Sequence, residues 1–584
     1  MQKFFKDYIT PYYKKIMVIV ILVILQVIIQ LFILQLTKSI IDNGIVNSNI
    51  NFIINTGTLM IILTIFYGVS VVFSSYVSSS IGAGVSCDIR EALFKKVLSF
   101  SQYDFKEFGS STLLARSTAD VALTENFIIG ILRNALLIPI VIVALIIATA
   151  MINIELCSII VVSFLLTIIL IIIKNKQSIE LFTKAQSKLD KLNLLLKEKI
   201  EGVRSIRAFG KQDYEQKKFQ KINKEYTEDS LFAAYKLYYL TPVALIIMNL
   251  AVLVIYFLGS IELQHKLINI GDLILLTQYV TYFISCLAII PFLVTTLPKA
   301  LVAIDRIGKV LYYDTTVKNN PSEEYLKFGL EDVDENIIEY KNVIFGYDGA
   351  KNVIADINLN SLKGTTTAFI GPTGSGKSTI VYLLNRLYDP KFGEIIINGI
   401  NIKEIDINEL RDKISFCSQK TMVLNDTVYE NIAMGNENIS RDKAMEVCEL
   451  TLFSEVFDFL PNGLDSVMAQ GGMNVSGGQK QRLSLARALA KDAEIYVFDD
   501  CFSALDAKTE KIVRENIKKY LKGKTIFMVA QKINTIRGAD NIVVLDKGRI
   551  VQQGTHEELL KSCNLYQEIY ETQSYLDRSD LNGQ

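Results

Sequence analysis

The sequence predicts two unlike parts: an all-α membrane domain of six long helices, then a cytosolic α/β domain built around a phosphate-binding loop. Three observations predict this. Long apolar stretches crowd the chain before residue 300. Beyond residue 336, apolar strand patterns alternate with helical ones, as in domains with a largely parallel sheet. Between one such strand and helix lies GPTGSGKST, Gly371–Thr379.

The 584 residues give room for more than one domain. Half are hydrophobic, and the mean hydropathy of +0.30 is high for a chain that also carries a charged cytosolic domain. Formal net charge is zero, which argues against a nucleic-acid surface. The seven cysteines (Cys87, Cys157, Cys286, Cys417, Cys448, Cys501 and Cys563) show no paired spacing, so free thiols are expected and a metal cluster is not.

Six apolar stretches are expected to span a bilayer: Ile16–Leu36, Phe52–Ser75, Ile128–Met151, Ile154–Ile173, Pro242–Leu258 and Leu273–Leu297. Each is near the ~20 residues that cover ~30 Å of hydrocarbon. The first is too long for a signal-peptide core and is expected to remain as a helix. Lys3, Lys6, Lys14 and Lys15 precede it, and further basic residues fall between spans two and three and spans four and five. The other connections are poor in positive charge. That asymmetry predicts a multi-pass plasma-membrane protein with both termini in the cytosol.

The basic connections read as projections rather than loose loops. A helical pattern runs on from Glu155 for some fifty residues. At 1.5 Å per residue that is ~75 Å, well beyond the bilayer. The stretches Gln102–Val121 and Glu201–Phe219 each break near a glycine and resume, so short helices are expected at the tips. Polar residues within the spans are few: Gln26, Gln30, Arg133, Asn134, Asn249, Gln278, Tyr279 and Tyr282. They either bond between helices or face a substrate. No carboxylate lies deep in a span, which disfavours an ion path and leans toward amphiphilic organic cargo.

In the second part, Thr365–Ile370 reads as a buried strand and Thr379–Tyr388 as a helix. A glycine-rich turn between strand and helix aims backbone N–H groups at one point, near the positive end of the helix dipole. Gly371, Gly374 and Gly376 let the backbone approach phosphate oxygens, with Pro372, Thr373, Ser375 and Thr379 completing the loop. Lys377 supplies a charge to the β/γ-phosphates and Ser378 a hydroxyl ligand for Mg2+. Glu394–Ile402, with Asn-Gly at its centre, reads as a hairpin with a type I′ turn.

Further groups follow in order. Tyr347 is either an adenine platform or core. Gln419 closes the strand Ile414–Ser418, where its amide can reach a metal or water at the carboxyl edge of the sheet. Ser476, Gly477, Gly478 and Gln479 open a helix and make a second anion seat. The strand Ile495–Phe498 ends in Asp499, suited to hold Mg2+ through water, and Asp500 follows. Asp506 lies beyond it, and Gln531 comes after the strand Thr525–Val529.

This set, with SGGQKQR (Ser476–Arg482) ahead of an apolar strand ending in Asp, resembles the ATP-binding-cassette family over nearly the whole chain. With six spans before it, the chain is similar to an exporter-type half-transporter, whose two halves dimerise. The resemblance implies two ATP molecules between the cassettes, each held by one chain's phosphate loop and the other's SGGQ segment. It implies Tyr347 as adenine platform, Gln419 as link to the membrane half and Asp506 as part of the dimer contact. The breaks at Gly109–Asp120 and Gly202–Phe209 resemble the family's coupling helices. Expected boundaries are 1–304 for the membrane domain, 305–336 for a polar linker, 337–572 for the nucleotide-binding domain and 573–584 for a tail.

Three positions depart from the family. Asp500 stands where a Glu usually serves as general base, and Gln531 where a His is usual; neither His265 nor His556 can replace the latter. Gln470 likewise stands where many exporters have Glu. One methylene fewer withdraws a carboxylate by roughly 1 Å, and misplacement of that size can cost about 10²-fold. The pattern resembles the degenerate member of bacterial heterodimeric multidrug exporters: groups that bind ATP are kept and groups that hydrolyse it are altered. The expected partner is a second half-transporter with a different sequence, a homodimer being the alternative. An importer with exporter fold, or an ATP-gated channel or regulator, would share these residues. The spans exclude a soluble DNA-repair ATPase.

Overall fold

A computed structural model describes residues 2–287, 290–322, 336–347 and 352–582. It divides into two compact units: Met1–Ser99 with Phe108–Tyr313, and Phe100–Glu107 with Asp314–Gln584. Of the expected linker, residues 323–335 lie outside the described residues, and its first part, to Leu311, continues the helix Ile290–Leu311.

The first unit is helical. Its long elements are α1 (Tyr13–Ser39), α2 (Ile50–Leu98), α3 (Leu137–Ala150), α4 (Ile154–Glu201), α5 (Gln212–Tyr238), α6 (Leu240–Gln264), α7 (Ile270–Leu287) and α8 (Ile290–Leu311). Among the described residues, four helical stretches are long and apolar enough to cross a bilayer: Thr10–Ile45, Ile50–Leu98, Ser110–Ala150 and Pro242–Gln264. Two shorter apolar stretches, Ile154–Leu170 and Ile270–Cys286, fall in the fourth and sixth expected spans. Ile61, Ile65 and Val72 on α2 are 63–71% exposed. A sustained apolar exterior of that kind suits hydrocarbon rather than water.

The long helix is continuous: α4 runs 48 residues without interruption. It starts because the Asn153 side chain accepts from the N–H groups of Glu155 and Leu156, satisfying donors that a first turn leaves open. It stops at Gly202, followed by the short helix Val203–Ala208. In the other connection Gly109, at φ +74°, separates the helices Gln102–Phe108 and Ser110–Ala115. Both breaks thus fall where glycine was expected to make them. Gln26 Nε2 on α1 donates to Ser70 Oγ on α2 at 3.4 Å, an interhelical bond between buried side chains. At the other end of α1, Lys38 pairs with Asp272 at 2.6 Å, and Asp42 accepts from the Gly271 N–H at 2.8 Å.

The second unit holds two sheets. One has strand order β2-β1-β4-β5, from β1 (Asn336–Phe345), β2 (Ile354–Leu362), β4 (Phe392–Ile397) and β5 (Ile400–Asn401). The expected hairpin is present, with Ile397 paired to Ile400 and Asn398 and Gly399 both at positive φ, as a type I′ turn requires. The larger sheet has order β10-β9-β3-β8-β7-β6: β10 (Arg549–Gly554), β9 (Asn541–Asp546), β3 (Thr366–Ile370), β8 (Thr525–Val529), β7 (Ile495–Asp499) and β6 (Ile414–Cys417). It is parallel except for β9–β10. Every residue of β7 and β8 is buried, so these strands read as continuous apolar runs with no alternation. The helices α9 (Lys377–Leu384), α10 (Gly477–Ala490) and α11 (Ala507–Tyr520) complete the elements that carry the site. Within this same unit, Ser101 Oγ lies 2.7 Å from Thr316 Oγ1, and the fully buried Asp104 accepts from the Ser101 N–H at 2.9 Å.

Candidate functional site

The phosphate loop links the end of β3 to α9, and its backbone explains its glycines. A Cβ on Gly371, at φ +153°, would lie 2.0 Å from the Leu545 carbonyl oxygen of neighbouring β9. Gly376, at φ +100°, precedes the first helical residue, and a Cβ there would strike the Ile354 side chain at 2.7 Å. Lys377 bridges back across the loop, its Nζ donating to Gly371 O at 2.8 Å and Pro372 O at 2.9 Å. Burial lowers the Lys377 pKa, while Asp500 and Asp499 work against that shift.

The acidic side of the site comes from the carboxyl end of β7. Asp499 is fully buried, and its Oδ1 accepts from Ser378 Oγ at 2.7 Å. Its Oδ2 is buried without a hydrogen-bond partner among the described residues, as is Ser375 Oγ. Burial raises the Asp499 pKa, opposed by hydrogen bonds from Ser378 and Tyr382 and by the charge of Lys377. An unpartnered carboxylate oxygen beside a serine hydroxyl at a phosphate seat fits Mg2+, which takes one or two protein oxygens and completes its shell with water and phosphate. Ser378, Asp499 and Gln419 are the residues that would hold it. No cluster of three His, Cys, Asp or Glu side chains suited to a metal occurs among the described residues, which leaves this oxygen set.

Asp500 is the next residue, with its backbone in the left-handed region at φ +50°. Few non-glycine residues adopt this conformation, Asp and Asn among the commonest. Its N–H donates to Val529 O at 2.9 Å, which fixes the turn against β8. Its Oδ2 accepts two amides, from Gln531 at 2.7 Å and from Gln419 at 3.2 Å. Burial raises its pKa, while those two amides pull it down.

These groups surround a cavity of ≈ 280 Å³ lined by Tyr347, Thr373–Thr379 (Ser375 excepted), Gln419, Asp500 and Gln531, among others. Tyr347 packs edge-on against Phe345 and Tyr388, and its hydroxyl lies 3.2 Å from Thr379 Oγ1. Lys106 places its ammonium 5.1 Å from the centre of the Tyr347 ring. A tyrosine open on the cavity side, held by two aromatic neighbours, can stack on a flat base.

Ser476–Gln479 and Asp506 do not line this cavity. Ser476 forms a capping box: its Oγ accepts from the Gln479 N–H, and Gln479 Oε1 accepts from the Ser476 N–H at 2.8 Å. Gly477 and Gly478 open α10, and a Cβ on Gly478 would sit 3.0 Å from Ala504 O. Asp506 caps α11, accepting from the Thr509 N–H at 3.0 Å. One residue was missed by the sequence reading. The buried Gln481 donates to Ser503 Oγ at 3.3 Å and accepts from the Ala504 N–H at 2.9 Å, tying α10 to the segment before Asp506. It is the second glutamine of the SGGQKQR run, and nothing in that run names its partners.

Known proteins place the chain. The family described as ABC transporter transmembrane region matches residues 16–287, and that described as ABC transporter matches residues 354–503. The chain is 33% identical to an uncharacterised ABC transporter ATP-binding protein of Bacillus subtilis, YfiB, over 92% of each chain. It is 30% identical to an ATP-dependent lipid A-core flippase of Desulfotalea psychrophila, covering 88% of this chain and 89% of that one. In fold it is similar to a bacterial Atm1-family ABC exporter solved with ATP bound, at a TM-score of 0.83 and 23% identity over 96% and 99% of the two chains.

A helical transmembrane region joined to an α/β domain with these motifs defines an ATP-driven membrane transporter. The chain belongs to the ABC transporter family: its ATPase domain binds and hydrolyses ATP, and the fold is that of the exporter type.

Proposed function

We propose that this chain is one subunit of a heterodimeric exporter in the plasma membrane, carrying drugs or other amphiphiles across six spans. Both termini lie in the cytosol. Its own ATP site holds nucleotide and turns it over slowly, while its Ser476–Gln479 completes a faster site on the partner. The observation that carries this reading is the double amide clamp on Asp500 Oδ2. A general base has to reach the attacking water, and geometry decides that before basicity does. Here a short carboxylate has one oxygen committed to Gln419 and Gln531, on a backbone fixed by Val529.

The binding groups support the same division. Lys377 meets the β/γ-phosphates, the loop N–H groups and Ser375 Oγ cradle their oxygens, and Tyr347 carries the base. Ser378 and Asp499 hold Mg2+, which when bound neutralises phosphate charge and orients the leaving oxygen. Gln531 can donate a hydrogen bond toward the γ-phosphate but brings no positive charge. Asp506, with Gln481 behind it, faces the partner cassette.

The cargo reading leans on the polar side chains within spans, Arg133 apart, being amides and aromatics. The flippase relative's name adds lipid-like amphiphiles to the candidates. The experiment compares ATP turnover of the purified chain alone with that of the chain co-expressed with a second half-transporter that carries Glu and His at the positions of Asp500 and Gln531. Equal rates would overturn the heterodimer. Uptake of an amphiphilic dye into inside-out vesicles, dependent on ATP, tests export.

A further inference from the structure

A second cavity in the ATPase domain, of ≈ 380 Å³, lies away from the phosphate loop. Its floor is apolar, formed by Ile517, Ile526 and Met528. Its mouth carries Arg514, Lys518 and Arg537 against one acid, Glu515. Lys518 and Arg537 are exposed at the rim. Lys518 Nζ would lie 3.8 Å from a Cβ on Gly538, which puts its ammonium at the mouth.

Two segments that follow Asp506 and Gln531 in the chain form the walls. One is α11, whose first turn is capped by Asp506. The other is the turn 534–539, three residues past Gln531. They are tied across the cavity: Arg514 Nη1 donates to the Asn534 carbonyl, and Thr535 Oγ1 donates to Glu510 Oε1.

We propose that this cavity binds a small amphiphilic anion, with its apolar body on the Ile517–Met528 floor and its phosphate or carboxylate among Arg514, Lys518 and Arg537. The volume falls in the range of small-molecule sites, which pair an apolar lining with a few charged groups. Three cations converging on one mouth hold an anion through charge-assisted hydrogen bonds. A ligand there bridges α11 and the 534–539 turn, so its binding is linked to ATP affinity, and by thermodynamic reciprocity ATP affects it equally. The linkage rests on the roles proposed for Asp506 and Gln531; the binding does not.

The test uses the full chain in lipid nanodiscs with saturating Mg2+ and ADP, which closes the phosphate loop to the probe. Titration calorimetry follows 2-naphthyl phosphate, with uncharged 2-naphthol as control. Saturable binding of the phosphate, at least tenfold weaker for the naphthol and for the double variant Lys518→Ala, Arg537→Ala, is expected. An unchanged Tm certifies the fold of that variant, both residues being at the surface. Binding seen only when ADP is left out would assign the probe to the phosphate loop and overturn the site. Equal affinity of variant and wild type, or no saturation, would do the same. A shift of at least twofold in apparent ATP affinity on adding the probe is expected. Binding without that shift would keep the site and overturn its linkage.

Discussion

Gln531 Nε2 donates to Asp500 Oδ2 at 2.7 Å, and Gln419 Nε2 reaches the same oxygen at 3.2 Å. The residue after Asp499 is therefore tied to two protein amides through one carboxylate oxygen. A glutamate at that position carries one more methylene, and a histidine at position 531 would remove one clamp.

Asp500→Asn should change ATP turnover of the co-expressed pair by less than about twofold if, as proposed, the residue is not the working base. The double change Asp500→Glu, Gln531→His should raise turnover of the chain alone by about tenfold or more, within the ~10²–10⁴-fold that a placed base supplies. Steady-state phosphate release on both samples checks this. A large loss from the single change would show that Asp500 works as a base.

Lys377→Ala removes the charge that spans the loop. Hydrogen bonds to charged groups are worth ~1.5–3 kcal/mol, so nucleotide affinity should fall by roughly 10- to 100-fold. Fluorescent ATP-analogue titration of the chain alone is the measurement.

Gly371→Ala meets the Leu545 carbonyl at 2.0 Å in a backbone region that alanine rarely adopts. Strain of this kind costs about 1–3 kcal/mol. Where the ATPase domain unfolds as a unit, each kcal/mol lowers Tm by ~2–4 °C for a domain of its size. Calorimetry should show that drop together with lost nucleotide binding.

Gln481→Leu removes the bonds to Ser503 Oγ and the Ala504 N–H, each worth ~0.5–1.5 kcal/mol net. ATP affinity of this chain's own site should stay within about twofold, because Gln481 does not line it. Turnover of the pair should fall several-fold, because the segment before Asp506 loses its anchor. Equal loss of both would make Gln481 a purely structural residue.

The phosphate loop, the strand ends at Asp499 and Val529 and the hairpin at Asn398-Gly399 were legible because each rests on local chemistry. Glycine where φ is positive, and apolar runs where both faces of a strand are covered, leave marks within a few residues. The end of α9 at Leu384 was not legible. The pattern Thr379–Tyr388 continues apolar past it, but those side chains pack from non-helical backbone, with Arg386 at φ +49°. Buried Arg386 donates instead to the carbonyls of Ile402, Ile405 and Lys318. Nor could the sequence show that Phe100–Glu107, drawn from a connection between membrane helices, belongs to the compact unit of the ATPase domain.

By itself the sequence determined the two-part architecture and the family, and marked the candidate phosphate-binding positions, because hydropathy, turn glycines and motif spacing are local properties. It also marked Asp500 and Gln531 as unusual, though not what they do to each other. Only the tertiary structure decided that they bond, that Gln419 joins them on one oxygen and that Gln481 holds the segment before Asp506. Those contacts join side chains 22 to 81 positions apart. Their pairing follows from the order and register of parallel strands, which no single stretch of the chain encodes.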